Sequence, residues 1–444
     1  MEKYFKLREK GTTVQRELFA GLTTFLTMAY ILAVNPQMLG SIGKGMTPGA
    51  VFTATAIASA IATIVMAFAA NLPVALAPGM GLNAFFTYTV VFGMGYSWQV
   101  ALTAVFLEGI LFIVLSLFNV RETIIKAIPK NLKKAVAVGI GLFIALIGFY
   151  NAGIVVNNTG TVVGFAKDFT AITPEGGQPI LAFIGLAIIT ILYVAKVPGA
   201  VLIGIIVTTI IGIPIGITHV GDFHYKLSGP LFFQFNFSPA TIFSFKFFTV
   251  FFTFLFVDIF DTIGTLVGVT TQAKLIDDRG NIPKVKQALL SDAIGTVAGA
   301  ALGTSSVTSY IESSAGVSAG GRTGLTSLTT GILFLLALFL WPIFEIIPYA
   351  ATAPALIFVG FLMLQPITGI DFSDPTEGIP AFLTIIIMPF AYSIADGIVY
   401  GIISYVILKF AAKKSKDVST ITWALFFIFL LHLIFSLWIN KTTA

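Results

Sequence analysis

Cysteine is absent from this chain of 444 residues, so disulfides, thiol catalysis and cysteine-ligated metals are all excluded. Histidine is scarce as well: His219, His224 and His432 complete the set. The first two lie together in a polar connection with no third ligand near them in the sequence, so neither a metal nor a cofactor is expected. Charge is also sparse, at 10% of residues, against roughly 25% in ordinary soluble proteins. No G-x-x-x-x-G-K-[ST] loop occurs, which argues against ATP-driven work by this chain alone. The opening stretch, MEKYFKLREK, is charged and lacks an apolar core with a cleavage site, so no signal peptide is expected.

What the chain has instead is apolar length. It is 57% hydrophobic, and runs of about 18–25 apolar residues follow one another. This reads as an all-α polytopic membrane protein. An outer-membrane barrel is excluded, because its strands would alternate every second residue. The expected spans are 17–38, 50–70, 73–94, 98–118, 134–150, 180–195, 198–218, 246–270, 286–302, 304–318, 323–347, 351–367, 379–394 and 396–410, with a further apolar stretch at 420–439. Basic residues gather in four places: Lys3 to Arg16, Arg121 to Lys134, Lys274 to Lys286, and Lys409 to Lys416. Fourteen crossings put all four on one side, which the positive-inside rule makes cytoplasmic together with the N-terminus. The stretch 420–439 is either a fifteenth span or a helix along the surface. The net charge of +5 is a topology signal and does not suggest a nucleic-acid partner.

The chain also looks doubled. The pair of short apolar segments at 180–212 resembles the pair at 379–410, each joined by a tight Gly- or Pro-containing turn. Seven spans per half is an odd number, so the second half enters inverted, as in transporters built from inverted repeats. Two stretches cannot be simple helices. In NLPVALAPGMGLNAFFTY (71–88), Pro73, Pro78, Gly79 and Gly81 break the backbone ladder. In GTSSVTSYIESSAGVSAGGRTG (303–324), Ser, Thr and Gly surround Glu312. These are the third and tenth spans, equivalent positions in the two halves. Unwound backbone at membrane depth is tolerated where it is buried in protein or lines a wet cavity, and paired interruptions point to a binding site. A pair of Gly/Ser-rich packing seams is the plainer alternative, but it does not call for Asn83 and Glu312 at the centres.

Carboxylates inside spans need a reason, since each charged Asp at mid-bilayer costs roughly 2.5–3.5 kcal/mol on insertion scales. FVDIFDTIGTL (256–266) places Asp258 and Asp261 three apart, near one face of the eighth span. Asp261 is expected to serve substrate or coupling, and Asp258 to be a structural hydrogen-bond acceptor. Glu108 is truly mid-span and fits either a structural bond or a proton relay. Asp292, Glu345 and Asp396 fall nearer span ends, and the loop acids Asp371, Asp374 and Glu377 are expected to be solvated.

Four motifs, GLTTFLTMAYILAVNP (21–36), APGMGLNAFF (77–86), FVDIFDTIGTL (256–266) and GTSSVTSYIESSAG (303–316), resemble the AzgA-like purine permeases of the nucleobase–ascorbate transporter superfamily. The resemblance runs in order along essentially the whole chain. It implies fourteen spans in a seven-plus-seven inverted repeat, with short extended strands interrupting spans three and ten. It implies a core domain (17–118 and 246–347), a gate domain (134–218 and 351–410) and an extra C-terminal helix at 420–439. It matches Asp261 to the family's acidic residue three before a glycine, here Gly264, and Glu312 to the acid after the tenth-span strand. Asn83 and Phe85 match the third-span strand. Thr265 stands where uracil permeases carry histidine, which favours the purine branch. Relatives suggest a homodimer.

The expected function is uptake of a purine base (adenine, guanine or hypoxanthine) by proton symport across the cell membrane, with alternating access and no enzymatic chemistry. A purine carries N–H donors and ring acceptors on a flat face. Glu312 would accept its N–H groups, Phe85 would stack, and Asn83, Asp261 and Thr265 would complete the site. Asp261 and Glu312 are the expected proton-coupling groups, since such a carrier needs a carboxyl that is charged in one state and neutral in another. Sodium coupling stays open. The alternatives are the same fold with another cargo (a pyrimidine, xanthine or an anion), a channel, and an intramembrane aspartyl protease. The protease needs acids on facing helices, whereas Asp258 and Asp261 share one. The anion carrier needs a central Arg or Lys, and none is present.

Overall fold

The computed structural model describes residues 2–117, 129–158, 160–173, 177–220, 227–276 and 282–442. Arg121, Lys126, His224 and Arg279, and the side chain of His432, lie outside the described residues.

Apolar runs become helices because a backbone in lipid must satisfy its own N–H and C=O groups. In chain order they are α1 (Val14–Met28), α2 (Ile31–Gly40), α3 (Pro48–Ala69), α4 (Met80–Ala84), α5 (Trp98–Leu117), α6 (Lys130–Asn151), α7 (Pro179–Val194), α8 (Ala200–Ile215), α9 (Phe245–Gln272), α10 (Val285–Leu302), α11 (Ser313–Ser318), α12 (Gly324–Leu336), α13 (Tyr349–Leu362), α14 (Pro375–Phe390), α15 (Ile394–Ala411) and α16 (Thr420–Thr442). Side-chain caps start several of them. Thr47 accepts from Ala50 N ahead of Pro48, Ser244 from Phe247 N, and Ser393 from Asp396 N. Among the described residues eight helices, some continued through adjoining turns, are long and apolar enough to cross a membrane. Apolar helices too short for that criterion include Met80–Gly93, Pro179–Val194, Ala200–Ile215 and Pro375–Phe390. Each of the fourteen expected spans has its helix or interrupted helix, and the fold is the expected helical one. α10 is long enough to cross but, carrying Lys286 and Asp292, is not among those eight.

The interruptions fall in spans three and ten, as expected. Leu76–Pro78 forms strand β1 and Val307–Ser309 forms β4, paired antiparallel with Ala77 opposite Thr308. Two short strands thus satisfy each other's backbones in the middle of the bundle. Gly79 closes the pair: a Cβ there would lie 2.5 Å from Thr308 Cγ2, so a larger residue would force the strands apart. Beyond Gly79 the chain re-enters α4 and continues as a π-helix over Phe85–Gly93. Span one is interrupted as well. Pro36 has no N–H to give to the Leu32 carbonyl, and the chain turns at Ala29 and Tyr30 between α1 and α2.

The helices pack in two groups. In one, α12 lies on α1 and α3, and α10 lies between α3 and α5. In the other, α6 packs on α13 and α14, α7 on α8 and α13, and α14 on α15. The connection after span five contains β2 (Val155–Asn158) and β3 (Val162–Phe165), paired antiparallel. α16 buries Leu425 and Phe429, one turn apart, and Phe429 meets Phe252 of α9 edge-on at 5.3 Å.

Candidate functional site

The three interruptions converge. The phenol of Tyr30, at the turn in span one, donates to Glu312 Oε1 at 2.6 Å. Glu312 directly precedes α11, just after β4. Tyr310, two residues earlier, donates through its hydroxyl to the Pro78 carbonyl at the end of β1 (2.5 Å). Asn83 Nδ2 points to the same carbonyl from α4 at 3.4 Å. Asn83 and its neighbours are wholly buried, and among the described residues Asn83 Oδ1, Thr87 Oγ1 and Ser309 Oγ have no hydrogen-bond partner. Buried acceptors left open in this way mark a place that water or a ligand completes.

Glu312 and Tyr30 form part of the wall of a cavity of about 1000 Å³. One side is built from α1, α11 and the end of α9; the other from α13 and the turn between α7 and α8, with Lys196, Gln272 and Gln365 near the rim. The turn is tight: Gly199 has a left-handed φ of 75° and lies so close to α1 that a Cβ would be 3.0 Å from the Leu26 carbonyl oxygen.

The other residues singled out from sequence sit beside or behind this wall. Asp261 is half-buried, with its Oδ2 3.5 Å from the position a Cβ would take on Gly79, so it abuts the start of α4. It is close enough to Glu312 for the two charges to interact. Thr265, one turn further along α9, is buried at the same face. Phe85 is fully buried and meets Phe254 edge-on with centroids 4.8 Å apart; like Asn83, Asp261 and Thr265, it lies outside the residues that line the cavity.

A second layer of acids lies deeper. Asp258 accepts from Thr262 at 3.3 Å, Asp292 accepts from the same hydroxyl at 2.6 Å, and Thr262 also meets Thr308 of β4 at 2.9 Å. Glu108 accepts from Ser306, beside β4, at 2.8 Å. All three of these acids are fully buried. Asp292 therefore does not sit at a solvated span end as its position in the sequence suggested, because α10 runs through the middle of its bundle. Of the loop acids, Asp371 is exposed as expected, and the other two make ion pairs. Glu377 pairs with the buried Lys409 at 2.8 Å, and Asp374 caps α14 while bonding Lys414 at 2.9 Å. Tyr30, Tyr310 and Thr262 were not identified from sequence. A phenol two residues before an acid and another ahead of Pro36 were the signals available.

On the face opposite the cavity mouth the two helix groups are bonded to each other. Gln37 of α2 donates to the Ile347 carbonyl at 2.6 Å, accepts from the Tyr349 hydroxyl on its own carbonyl at 2.9 Å, and accepts from Thr352 on its side chain. Asn151 of α6 donates to the Tyr88 hydroxyl at 3.1 Å.

A model of the permease family matches residues 15–400. A putative permease of Methanocaldococcus jannaschii is 47% identical over 438 residues, 98% of each chain. The guanine/hypoxanthine permease PbuG of Bacillus subtilis is 45% identical, covering 98% of this chain and 100% of its own. The adenine permease AdeP of Escherichia coli is 44% identical, covering 98% and 96%. Among solved structures, the transmembrane domain of the cyanobacterial bicarbonate transporter BicA superposes with a TM-score of 0.60 at 16% identity, covering 90% of this chain and 97% of that one. SLC26A9 superposes with a TM-score of 0.62 at 12% identity, covering 89% and 65%. At such identities these two report on the fold alone.

Proposed function

Given that this chain belongs to the permease family, the nucleobase–ascorbate transporters, we propose that it imports a purine nucleobase (adenine, guanine or hypoxanthine) by proton symport with alternating access. The observation that carries the reading is Glu312, an acid at the wall of a large cavity, held by one phenol and otherwise open to a ligand. A purine is neutral near pH 7 and offers N–H groups that a carboxylate accepts strongly. Asn83 Oδ1, unpartnered among the described residues, is a second acceptor, and Asp261 and Thr265 stand beside the same breaks. Phe85 lies behind the same breaks in contact with Phe254, and Tyr30 is the ring that lines the cavity beside the acid.

The coupling proton is assigned to Glu312 and Asp261. Asp258, Asp292 and Glu108 are held by hydroxyl donors in the interior and serve the scaffold. The two helix groups act as core (17–118, 246–347) and gate (134–218, 351–410). The cavity opens on the side of the basic loops, which is cytoplasmic in this reading, and the Gln37 and Tyr88 bonds close the opposite side. Outward opening has to break those bonds. The protein resides in the cell membrane, works as a homodimer and performs no chemistry on its cargo.

The test is uptake of labelled purines into proteoliposomes with and without an imposed pH gradient. Saturable uptake of one or more purines that collapses with the gradient is expected. Gradient-independent uptake would remove the symport, and uptake of an anion in place of any purine would favour the alternative cargo suggested by the bicarbonate-transporter fold. That alternative is disfavoured by a cavity wall that presents an acid.

A further inference from the structure

We propose that Tyr30 is a positioning residue that sets purine selectivity, by occupying one oxygen of Glu312 and leaving the other as the acceptor a ligand meets. The proposal rests on the reading of Glu312 as the purine acceptor. Tyr30 is brought to the site by the interruption of span one: Ala29 N still bonds Phe25 O, but Leu32 N and Ala33 N close three-residue turns on Ala29 O and Tyr30 O. This swings the phenol across to span ten. Its ring is 1% exposed, and the hydroxyl ends on Glu312 Oε1 at 2.6 Å, the short distance of a charge-assisted bond. Thr27, one residue before the end of α1, also reaches the Glu312 backbone carbonyl at 3.4 Å. Both contacts fix the acid relative to α1, and among the described residues no other side chain donates to its carboxylate.

The consequence is chemical. An unoccupied carboxylate binds two adjacent N–H groups with its two oxygens in parallel. The lactam and 2-amino groups of guanine form such a pair; hypoxanthine has the lactam N–H alone. With Oε1 already accepting from the phenol, that oxygen is the weaker and more crowded acceptor, and Oε2 is the one left fully open to a ligand. The site therefore gains little from a 2-amino group. Removing the hydroxyl frees Oε1 and opens space beside it, while the acid loses its fixed orientation.

The experiment compares binding of hypoxanthine and guanine, which differ by the 2-amino group alone, to the purified wild-type protein and to Tyr30→Phe. Tyr30→Phe is expected to weaken the ligand without that group about five- to tenfold, because the acid loses the bond that fixes its orientation. Its partner should be weakened less, so the ratio moves at least about threefold toward the 2-amino purine. Tyr30→Leu, which also lacks the hydroxyl, should move the ratio in the same direction and serves if the first variant does not purify. A merely structural role for Tyr30 would weaken both purines alike, and an unchanged ratio overturns the proposal while leaving Glu312 as acceptor. Wild-type protein that is folded and binds no purine overturns the transport reading, and this proposal with it.

Discussion

Glu17 and Glu312 are glutamates of one helical bundle, solvated in opposite ways. Glu17, in the first turn of α1, is fully buried and receives the backbone N–H groups of Arg322, Thr323 and Thr326 and the hydroxyls of Thr323 and Thr326 at 2.7–3.3 Å. It sits at the N-terminus of α12, where the helix dipole favours a negative charge. Glu312 receives one phenol and faces a cavity. The difference teaches how to read acids in an apolar protein. A carboxylate saturated by donors from fixed backbone is part of the scaffold, and one with unfilled capacity at a cavity wall is poised for a ligand or a proton.

The comparison breaks most visibly at Glu17. Glu17→Ala strands several buried donors and is expected to cost about 3–5 kcal/mol, read as a large fall in melting temperature and yield in detergent. Purine affinity of the surviving folded fraction should stay near wild type; a large loss of affinity without a change in melting would erase the contrast. Glu312→Gln should do the reverse. Loss of a charged acceptor removes roughly 1.5–3 kcal/mol of binding, or about 10–150-fold in affinity, with melting little changed. Uptake and binding equal to wild type would remove Glu312 from the site.

Asp258→Asn sharpens the contrast on α9. It alters a bond to Thr262 inside the bundle, with an expected cost of about 1–2 kcal/mol in stability, whereas Asp261→Asn should leave melting alone and weaken pH-driven uptake. Equal effects of the two on uptake would contradict the assignment of Asp258 to the scaffold. The smallest effect is expected at the surface. Hydrogen bonds from Lys414 and Thr376 hold the Asp374 carboxyl well below its ordinary range. The folded-state value is depressed, so its stabilising contribution is complete above the unfolded value, about pH 4, and is lost as pH falls through the folded one. Asp374→Asn should lower the melting temperature slightly at neutral pH and flatten its decline in acid. An acid limb identical to wild type would remove Asp374 as a contributor.

Much of this was legible in the sequence because lipid leaves a chain few choices. Long apolar runs became helices, and Pro73 to Gly81 and the Ser/Thr-rich stretch around Glu312 became breaks, since both signals are local. What was not legible depended on distant neighbours. Tyr30 gains a role through an acid some 280 residues away, and its own interruption is signalled only by Pro36. Glu377 was expected to be solvated, and it is Lys409, brought beside it where α14 packs on α15, that makes it the half-buried partner of a buried lysine. Phe85 was expected to stack on a ligand. With 43 phenylalanines in the chain, no local pattern tells a ring that faces a cavity from one that meets Phe254.

The antiparallel pair of β1 and β4 also bears on how the protein is made. Its two strands are separated by more than two hundred residues, so the ribosome releases the first long before the second exists. Thr63 of α3 can bond both backbone groups of Leu76 from the start, but Ala77 then waits for its strand partner Thr308. A nascent chain halted before residue 300 should consequently be a substrate for membrane quality control, while one halted past α12 should resist it.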